Sequence, residues 1–280
     1  MAVIRAFESF DFNVLNFKPS TGAPITSQFT AGSRAIEPYD DSYTFSLINK
    51  GIPLSNLTFA GNGLADEASA NISAFEFDTF VSGPNGPDVY PSFLIEGIAL
   101  TRAEADAFVA SLKAGHTEAL DTLFKVQLSG DDTVYLPLSG YSGSISTYGG
   151  NDTIYSRGGG LIDAGAGDDV IDSTGGIADV FYARSEYYFG GTGNDTYILS
   201  SVAANVVEKV GKGVDLVQIA DTLQGFRYVL PANVENGAMV NTVAGALIGN
   251  AGVNTLTGND VANDLYAAAG NDKLLGAGRR

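Results

Sequence analysis

Residues 149–172 read GGNDTIYSRGGGLIDAGAGDDVID, and this stretch decides the fold. In it, a glycine-rich turn that ends in an aspartate is followed twice by a short apolar run. Asp152 stands before the first run, Thr153–Tyr155, and Asp169 stands before the second, Val170–Asp172. Glycine suits such a turn because several of its positions need a positive φ angle, which costs other residues energy. Each short run can then form a strand whose apolar residue points inward.

Further copies of this arrangement lie on both sides. Asp132 precedes Thr133 and Val134, and Asp195 ends the turn of a copy that reads GGTGNDTYI. The copies follow a nine-residue pattern, G-G-x-G-x-D-x-U-x, in which U is a large apolar residue. Two such repeats make one coil of a parallel β-roll, so that the turns stack on alternate sides.

This pattern resembles the haemolysin-type calcium-binding repeats of the RTX family, from about residue 127 to residue 280. The resemblance implies that stacked turns bind Ca²⁺ through carboxylates and backbone carbonyls, which are hard oxygen ligands that suit this ion. The implied ligand residues are Asp132, Thr147, Gly149, Asp152, Gly165, Gly167, Asp169, Gly190, Thr192, Asp195, Gly211, Gly213, Asp215 and Asp272. The alternative is that aspartates in glycine-rich turns only accept hydrogen bonds from local N–H groups.

Counting nine residues per repeat predicts the flank on which each turn lies. The repeats counted as odd carry Asp132, Asp152 and Asp169. The even repeats carry Gly143, Leu161 and Ala178 near the corresponding place. One flank should therefore bind calcium, and the opposite flank should be largely free of metal between residues 138 and 181. The same count puts Asp195 and Asp215 on the second flank, where the two aspartates can share an ion.

From residue 240 the nine-residue spacing resumes, with asparagine replacing most of the aspartates. The apolar position is filled by Leu247, Leu256, Leu265 and Leu274. The aspartate position is filled by Asn254, Asn263 and Asp272. Because an amide is neutral and offers one acceptor oxygen, these turns should bind calcium weakly or be held by hydrogen bonds alone. We expect strands and a second short roll or cap over residues 221–280, after a first roll over 127–220.

Residues 1–126 have a different composition and predict an α+β domain. Of the 35 glycines, 26 lie beyond residue 129, whereas 7 of the 9 prolines lie before residue 127. Alternating apolar and polar residues over 43–48 and 73–81 predict half-buried antiparallel strands. Thr101 and Glu104 have the spacing of a capping box, which predicts a helix start. A second short helix is predicted over 117–124. Because the other predicted elements are strands, the whole chain should be mainly β.

Charge and composition exclude several classes of partner. The net charge of −17 and the isoelectric point near 4.2 argue against nucleic acid and against an anionic membrane surface. The chain has no cysteine, no N-terminal secretory signal and no run long enough for a membrane span. The resemblance implies export by a one-step (type I) route to the cell surface or the medium. The last residues break off within a repeat, so we expect the natural chain to continue or to end atypically.

Enzymatic motifs are missing from the sequence. It contains neither the G-x-S-x-G of a lipase-type nucleophile elbow nor the H-E-x-x-H of a zinc protease. The single histidine, His116, is interpreted as an exposed residue at a helix start. We therefore predict a non-enzymatic structural or adhesive role in a matrix, surface layer or adhesin, with self-assembly or a surface glycan as partner. The alternative is a small secreted enzyme, or a carrier of a glycan or haem, with its site in residues 1–126.

Overall fold

The structure, a computed structural model, is mostly β. It describes residues 3–6, 29–31, 41–49, 52–62, 71–83, 86–113, 118–136, 144–156, 160–174 and 186–276. The chain divides into two compact units, Met1–Ser129 and Gly130–Arg280. The predictions made on His116, Gly143 and Ala178 fall outside the described residues. No helix in the described part of the chain is long and apolar enough to cross a membrane.

The first unit contains an antiparallel sheet and two helices, as predicted. Its strands are β1 (Val3–Ala6), β2 (Phe29–Ala31), β3 (Asp41–Asn49), β4 (Ile52–Asn62), β5 (Asn71–Gly83) and β6 (Gly86–Thr101). They are ordered β2-β3-β4-β5-β6-β1. The helices are α1 (Arg102–Lys113) and α2 (Glu118–Gln127). The capping box forms at the start of α1, because the Glu104 N–H donates to Thr101 Oγ1 at 3.2 Å and the Thr101 N–H donates to Glu104 Oε2 at 2.8 Å. Helix α1 packs on the sheet through Phe108, whose ring meets that of Phe59 edge to face at 6.3 Å.

The second unit is a parallel β-solenoid, which confirms the predicted roll architecture. Its strands are β7 (Thr133–Tyr135), β8 (Ser144–Ser146), β9 (Thr153–Tyr155), β10 (Leu161–Ala166), β11 (Val170–Asp172), β12 (Tyr187–Thr192), β13 (Thr196–Leu199), β14 (Asn205–Val206), β15 (Leu216–Ile219), β16 (Phe226–Val229), β17 (Asn236–Met239), β18 (Gly245–Ile248), β19 (Thr255–Thr257), β20 (Asn263–Tyr266) and β21 (Lys273–Leu275). The odd-numbered strands, in the order β7-β9-β11-β13-β15-β17-β19-β21, form one continuous parallel face. The even-numbered strands form two shorter sheets, β14-β12-β10-β8 and β16-β18-β20.

The core of the solenoid is a double column of side chains from the apolar U positions. The odd-numbered strands contribute the buried residues Val134, Ile154, Ile171, Tyr197, Val217 and Leu256. The even-numbered strands contribute Ile145, Ile162, Tyr188, Val206, Tyr228 and Leu247. In most of the short strands the middle residue is buried between two partly exposed neighbours, as the alternation of a strand requires. The strands therefore stack by burying one large side chain per repeat, which is the main favourable term in their packing.

The nine-residue spacing of the C-terminal leucines reflects alternation between the two faces. Leu247 pairs with Leu265 on the even-numbered face, and Leu256 pairs with Leu274 on the odd-numbered face. Residues eighteen apart therefore stack, while residues nine apart lie on opposite sides. Leu247 and Leu256 are fully buried, whereas Leu274 is 44% exposed. The predicted second roll is thus the continuation of the solenoid through β21.

Candidate metal centre

Five aspartates lie at one corner of the solenoid, each directly before or within one residue of an odd-numbered strand. We call them the aspartate ladder: Asp132, Asp152, Asp169, Asp195 and Asp215. The backbone N–H of each of the first four donates to Oδ1 of the next aspartate, at 2.7, 2.7, 2.9 and 2.9 Å in chain order. The next coil continues the ladder with a glutamate, since the Asp215 N–H donates to Glu235 Oε2 at 2.8 Å. A short acidic side chain thus spans the distance between neighbouring coils, which is about 4.8 Å in a sheet.

The ladder corrects one prediction of the nine-residue count. Asp195 and Asp215 do not lie on a second flank; they stack on Asp169, because β11, β13 and β15 are neighbours in the same face. The count fails between Asp169 and Asp195, which are 26 residues apart in a single coil. This coil is nine residues longer than the 17-residue coil before it. Nine-residue counting treats the excess as one extra repeat and so changes the flank, whereas in the structure all 26 residues belong to one lengthened coil.

Three of the ladder carboxylates each have one oxygen without a hydrogen-bond partner among the described residues. These oxygens are Oδ2 of Asp152, Asp169 and Asp195, and all three are buried. The three side chains are only 1–2% exposed, so bulk solvent does not reach these oxygens. Thr147 lies beside Asp152, but its hydroxyl donates to the Ala164 carbonyl at 2.8 Å. A buried carboxylate oxygen with no donor is costly, and such an oxygen indicates a missing positive charge.

Burial also raises the pKa values of the ladder. It raises the pKa of Asp169 to about 8, and the charges of Asp152 and Asp195 add to the effect. The pKa values of Asp152, Asp195 and Asp215 rise to about 6, again mainly through burial. The hydrogen bonds from backbone N–H groups lower these pKa values but do not offset burial. Proton uptake or cation binding at the ladder would therefore stabilise the folded state near neutral pH.

At one end of the ladder a third carboxylate joins two of its members. Asp195, Glu208 and Asp215 are all buried, and one ligand oxygen from each lies within 4.8 Å of the others. This buried acidic cluster can hold a metal ion. The Tyr197 hydroxyl donates a short hydrogen bond to Glu208 Oε1, and Tyr197 in turn accepts from the Gly190 N–H at 2.6 Å. Burial raises the pKa of Glu208, and the neighbouring charge of Asp195 raises it further.

The predicted carbonyl ligands lie in the turns that lead to the ladder. Two of their carbonyl oxygens accept backbone hydrogen bonds of 2.7 Å: that of Thr147 from the Gly149 N–H, and that of Thr192 from the Gly167 N–H. Gly190 lies next to the acidic cluster, because a Cβ placed on it would overlap Asp195 Oδ2. Gly211 has a φ of 65° and open space around it.

Stacked glycines bring the turns close enough to form the ladder. A Cβ on Gly165, Gly167 or Gly213 would overlap a backbone carbonyl of the preceding coil. Gly165 and Gly167 also have φ angles of 107° and 137°, which other residues rarely adopt. These positions therefore require glycine for the close approach of neighbouring coils, whether or not their carbonyls bind a metal.

A second row of side chains, which the sequence reasoning missed, runs beside the ladder on the exposed side. It consists of the residues that immediately precede ladder aspartates, Asp131, Asn151, Asp168 and Asn194. The N–H groups of Asn151, Asp168 and Asn194 each donate to the Oδ1 of the preceding member at 2.7 Å. These hydrogen bonds run in the opposite direction along the chain from those of the ladder. The signal was present in the sequence, because each of these ladder aspartates follows an Asp or Asn.

Glu208 and Glu235 were also missed, for a different reason. Glu208 follows β14 outside any glycine-rich turn, and Glu235 stands where the repeat would have an aspartate. Glu208 bonds with Tyr197, 11 residues before it, and Glu235 bonds with Asp215, 20 residues before it, so neither role follows from the nine-residue pattern.

In the C-terminal coils, asparagine amides make the contacts at the corners. The Asn254 Nδ2 group donates to the carbonyls of Val234 at 3.0 Å and Glu235 at 3.3 Å. Its Oδ1 accepts from the Asn250 N–H at 2.8 Å. Asn263 Oδ1 accepts likewise from the Asn259 N–H. The hydrogen bonds expected of these turns are thus present. Asp272, partly buried, accepts from the Asn254 N–H at 2.8 Å.

Comparisons with protein-family models, with curated proteins and with solved structures find no match to this chain. The class of the second unit therefore rests on its geometry: a parallel β-solenoid with a buried acidic corner.

Proposed function

We propose that this chain is a calcium-dependent β-roll protein of the RTX kind, in which Ca²⁺ neutralises the aspartate ladder and completes folding of the solenoid. The observation that carries the proposal is the row of buried Oδ2 atoms on Asp152, Asp169 and Asp195. The residues that would hold the ion are the ladder aspartates and Glu208. A divalent cation would supply the positive charge that the hydrogen bonds from backbone N–H groups leave uncompensated.

The donor set favours calcium over other metals. The chain has no cysteine and a single histidine, so the nitrogen and sulfur ligands that zinc and copper favour are scarce. Carboxylate and carbonyl oxygens remain, and these suit hard cations. Ca²⁺ tolerates six to eight oxygens in irregular arrangements, whereas Mg²⁺ needs a near-octahedral set. A corner built from stacked, slightly unequal coils suits the more tolerant ion.

The proposed role is structural or adhesive, at the cell surface or outside the cell. Extracellular calcium sites commonly have dissociation constants of about 10⁻⁴–10⁻³ M, so such a ladder would be empty in the cytoplasm and filled after export. The charge of −17 supports the proposal, because like charges oppose compaction until cations bind. Self-assembly or a surface glycan is the proposed partner, and no catalysis is assigned. The alternative of an enzyme or ligand carrier with its site in residues 1–126 stays a prediction.

The test is a comparison of the full chain in chelator, in calcium and in magnesium. Circular dichroism should show the β signal weakened in chelator and restored by calcium at about 10⁻⁴–10⁻³ M, with magnesium much less effective. Hydrogen exchange followed by mass spectrometry should place the calcium-dependent protection in residues 130–219. Elemental analysis of the dialysed protein counts the bound metal. A spectrum indifferent to chelator, together with no retained calcium, would refute the proposal.

A further inference from the structure

We infer that Asp195, Glu208 and Asp215 form a cation site that is stronger than the rest of the aspartate ladder and fills first. The inference rests on the proposed function and adds to it an order of loading and a ligand outside the repeat. Among the described residues, this is the one group of three or more acidic side chains whose ligand atoms lie within 4.8 Å of one another. From Asp132 to Asp169 the neighbouring ladder carboxylates are aspartates alone.

At the position of Glu208, the preceding coils have small residues. Strand β14 pairs with β12 so that Tyr188 aligns with Val206. The same register, continued two residues beyond the end of β14, would place Glu208 beside Gly190. The pairing of β10 with β12 likewise aligns Ala164 with Gly190. An alanine and a glycine therefore occupy this column before the glutamate. Only in the last of these three coils does a carboxylate reach the ladder from this column.

The cluster that contains Glu208 also contains an aspartate oxygen that lacks a partner among the described residues. A Cβ on Gly190 would overlap both Asp195 Oδ2 and the Tyr197 hydroxyl. Asp195 Oδ2 is buried without a hydrogen bond, and the Tyr197 hydroxyl is bonded to Glu208. These groups converge above the bare Cα of Gly190. The absence of a side chain at Gly190 thus lets Asp195 Oδ2 and the Tyr197 hydroxyl approach its Cα, in a buried part of the molecule beside three carboxylates.

Charge explains why this site should be the strongest. The affinity of an oxygen site for Ca²⁺ rises with the number of charged ligands, and burial strengthens the attraction between ligand and ion. The hydrogen bond from Tyr197 holds the Glu208 carboxylate in place, so little ordering is needed on binding. Three carboxylates also favour trivalent ions, which makes terbium(III) a suitable probe of this site.

The experiment is a terbium titration of the full chain, followed by luminescence excited through tyrosine. The chain has 13 tyrosines and no tryptophan, and Tyr197 contacts a proposed ligand, so terbium bound here should be sensitised. We expect two phases in the wild type, both reversed by calcium. Glu208→Gln should weaken the tight phase at least tenfold and leave the weak phase in place. The matched control is Glu186→Gln, which removes the same charge from a glutamate that also accepts a tyrosine hydroxyl, from Tyr188 at 2.8 Å.

Two further variants separate a ligand from a structural role. Gly190→Ala keeps every charge, but its Cβ would displace Asp195 Oδ2 and the Tyr197 hydroxyl, so it should also remove the tight phase. Asp169→Asn should reduce the weak phase and keep the tight one. If Glu208 is a ligand, Glu208→Gln lowers stability in calcium but not in chelator, whereas a structural role lowers stability in both.

The outcomes distinguish this inference from the proposed function. A wild type that binds terbium and calcium in one phase, or a Glu208→Gln variant that binds as tightly as the wild type, overturns the inference and leaves calcium binding intact. So does a Glu208→Gln variant that is equally destabilised with and without calcium. A wild type that binds neither ion overturns the proposed function as well.

Discussion

The solenoid contains two kinds of corner, one built from aspartates and one built largely from asparagines. In both, the side chain accepts a hydrogen bond from the backbone of the adjacent coil: Asp215 from the Asp195 N–H at 2.9 Å, and Asp272 from the Asn254 N–H at 2.8 Å. The two kinds of corner differ at the second polar atom of the side chain, which is Nδ2 in asparagine and Oδ2 in aspartate. Asn254 Nδ2 donates to two carbonyls, whereas Asp195 Oδ2 has no donor.

The asparagine corner therefore supplies its own hydrogen-bond donors and acceptors, whereas the aspartate corner lacks, among the described residues, a donor or positive charge for Oδ2. An amide carries both a donor and acceptor, so a stack of amides and carbonyls can close without help. An ionised carboxylate only accepts, so a buried stack of carboxylates needs an external positive charge. One continuous face of strands thus joins a region that we expect to respond to cations, residues 130–219, to a region that we expect to be indifferent to them, residues 236–275.

The largest expected effect is a dependence of stability on pH that differs between the two regions and changes sign with calcium. Burial raises the pKa of Asp169 to about 8 and those of Asp152, Asp195 and Asp215 to about 6, above the ordinary value near 3.9. The folded state therefore binds protons more readily than the unfolded state. In chelator, the stability of residues 130–219 should rise as pH falls from about 8 to about 4.

With calcium bound, the stability of residues 130–219 should instead fall as pH falls, because protons then compete with the ion for the same oxygens. Regional hydrogen exchange at pH 5 and pH 8, corrected for the intrinsic exchange rate, measures both cases. Residues 236–275 provide the internal control, since we expect their protection to change little. Equal pH dependence in the two regions would show that the ladder does not carry buried charge.

The second prediction introduces a carboxylate into the asparagine region. Asn254 is 1% exposed, and Asn254→Asp removes two donated hydrogen bonds and places a carboxylate against the carbonyls of Val234 and Glu235. We expect a loss of about 1–3 kcal/mol in the free energy of unfolding, the usual cost of unpaired buried polar groups. Chemical denaturation measures it. Asn205→Asp, at an exposed position, is the control and should change stability by much less.

The third prediction makes the opposite change in the aspartate region. In the wild type, the Asp152 N–H donates to Asp169 Oδ1 at 2.7 Å. Asp169→Asn keeps an oxygen for this hydrogen bond but removes one buried charge. The calcium concentration at the folding midpoint should rise roughly tenfold, because charge count tunes affinity. Stability in chelator should increase instead. Tyrosine fluorescence during calcium titration and thermal melts in chelator test the two signs, and a variant destabilised under both conditions would contradict the cation role.

The smallest expected effect is that of Asp272→Asn. Asp272 is partly buried, and its hydrogen-bond partner belongs to the neutral Asn254. Removing its charge should leave the calcium midpoint within about twofold of the wild type, since its neighbour on the adjacent coil, Asn254, is neutral. The same fluorescence titration applies. A shift as large as that of Asp169→Asn would mean that the boundary between the two kinds of corner lies elsewhere.

The sequence was sufficient where each signal is local. The apolar position predicted Ile154 and Ile171 as inward residues, and the glycine-rich turns predicted the corners beside them. Asp152 and Asp169 could be brought together by spacing alone, because their coil has 17 residues, close to two repeats. The capping box of α1 is also local, and it forms as predicted.

The rest depends on contacts that no local pattern encodes. The coil from Asp169 to Asp195 is nine residues longer than the one before it, and counting cannot distinguish one extra repeat from one lengthened coil, so Asp195 was assigned to the wrong flank. Glu208 reaches the cluster across neighbouring coils from a position that the repeat does not define. For Glu235 the obstacle was side-chain length, since a glutamate substitutes for an aspartate in the ladder by reaching further.

The lengthened coil has a consequence for the use of this molecule as a scaffold. The coil from Asp169 to Asp195 has 26 residues, whereas the one before it has 17, yet the corner hydrogen bonds are 2.9 and 2.7 Å. The alignment of coils is therefore maintained at the corner and does not require a constant number of residues between corners. A foreign peptide grafted after Thr174 should leave β11 and β13 paired, so the solenoid can display an inserted epitope whose presentation is switched by the cation that orders its base.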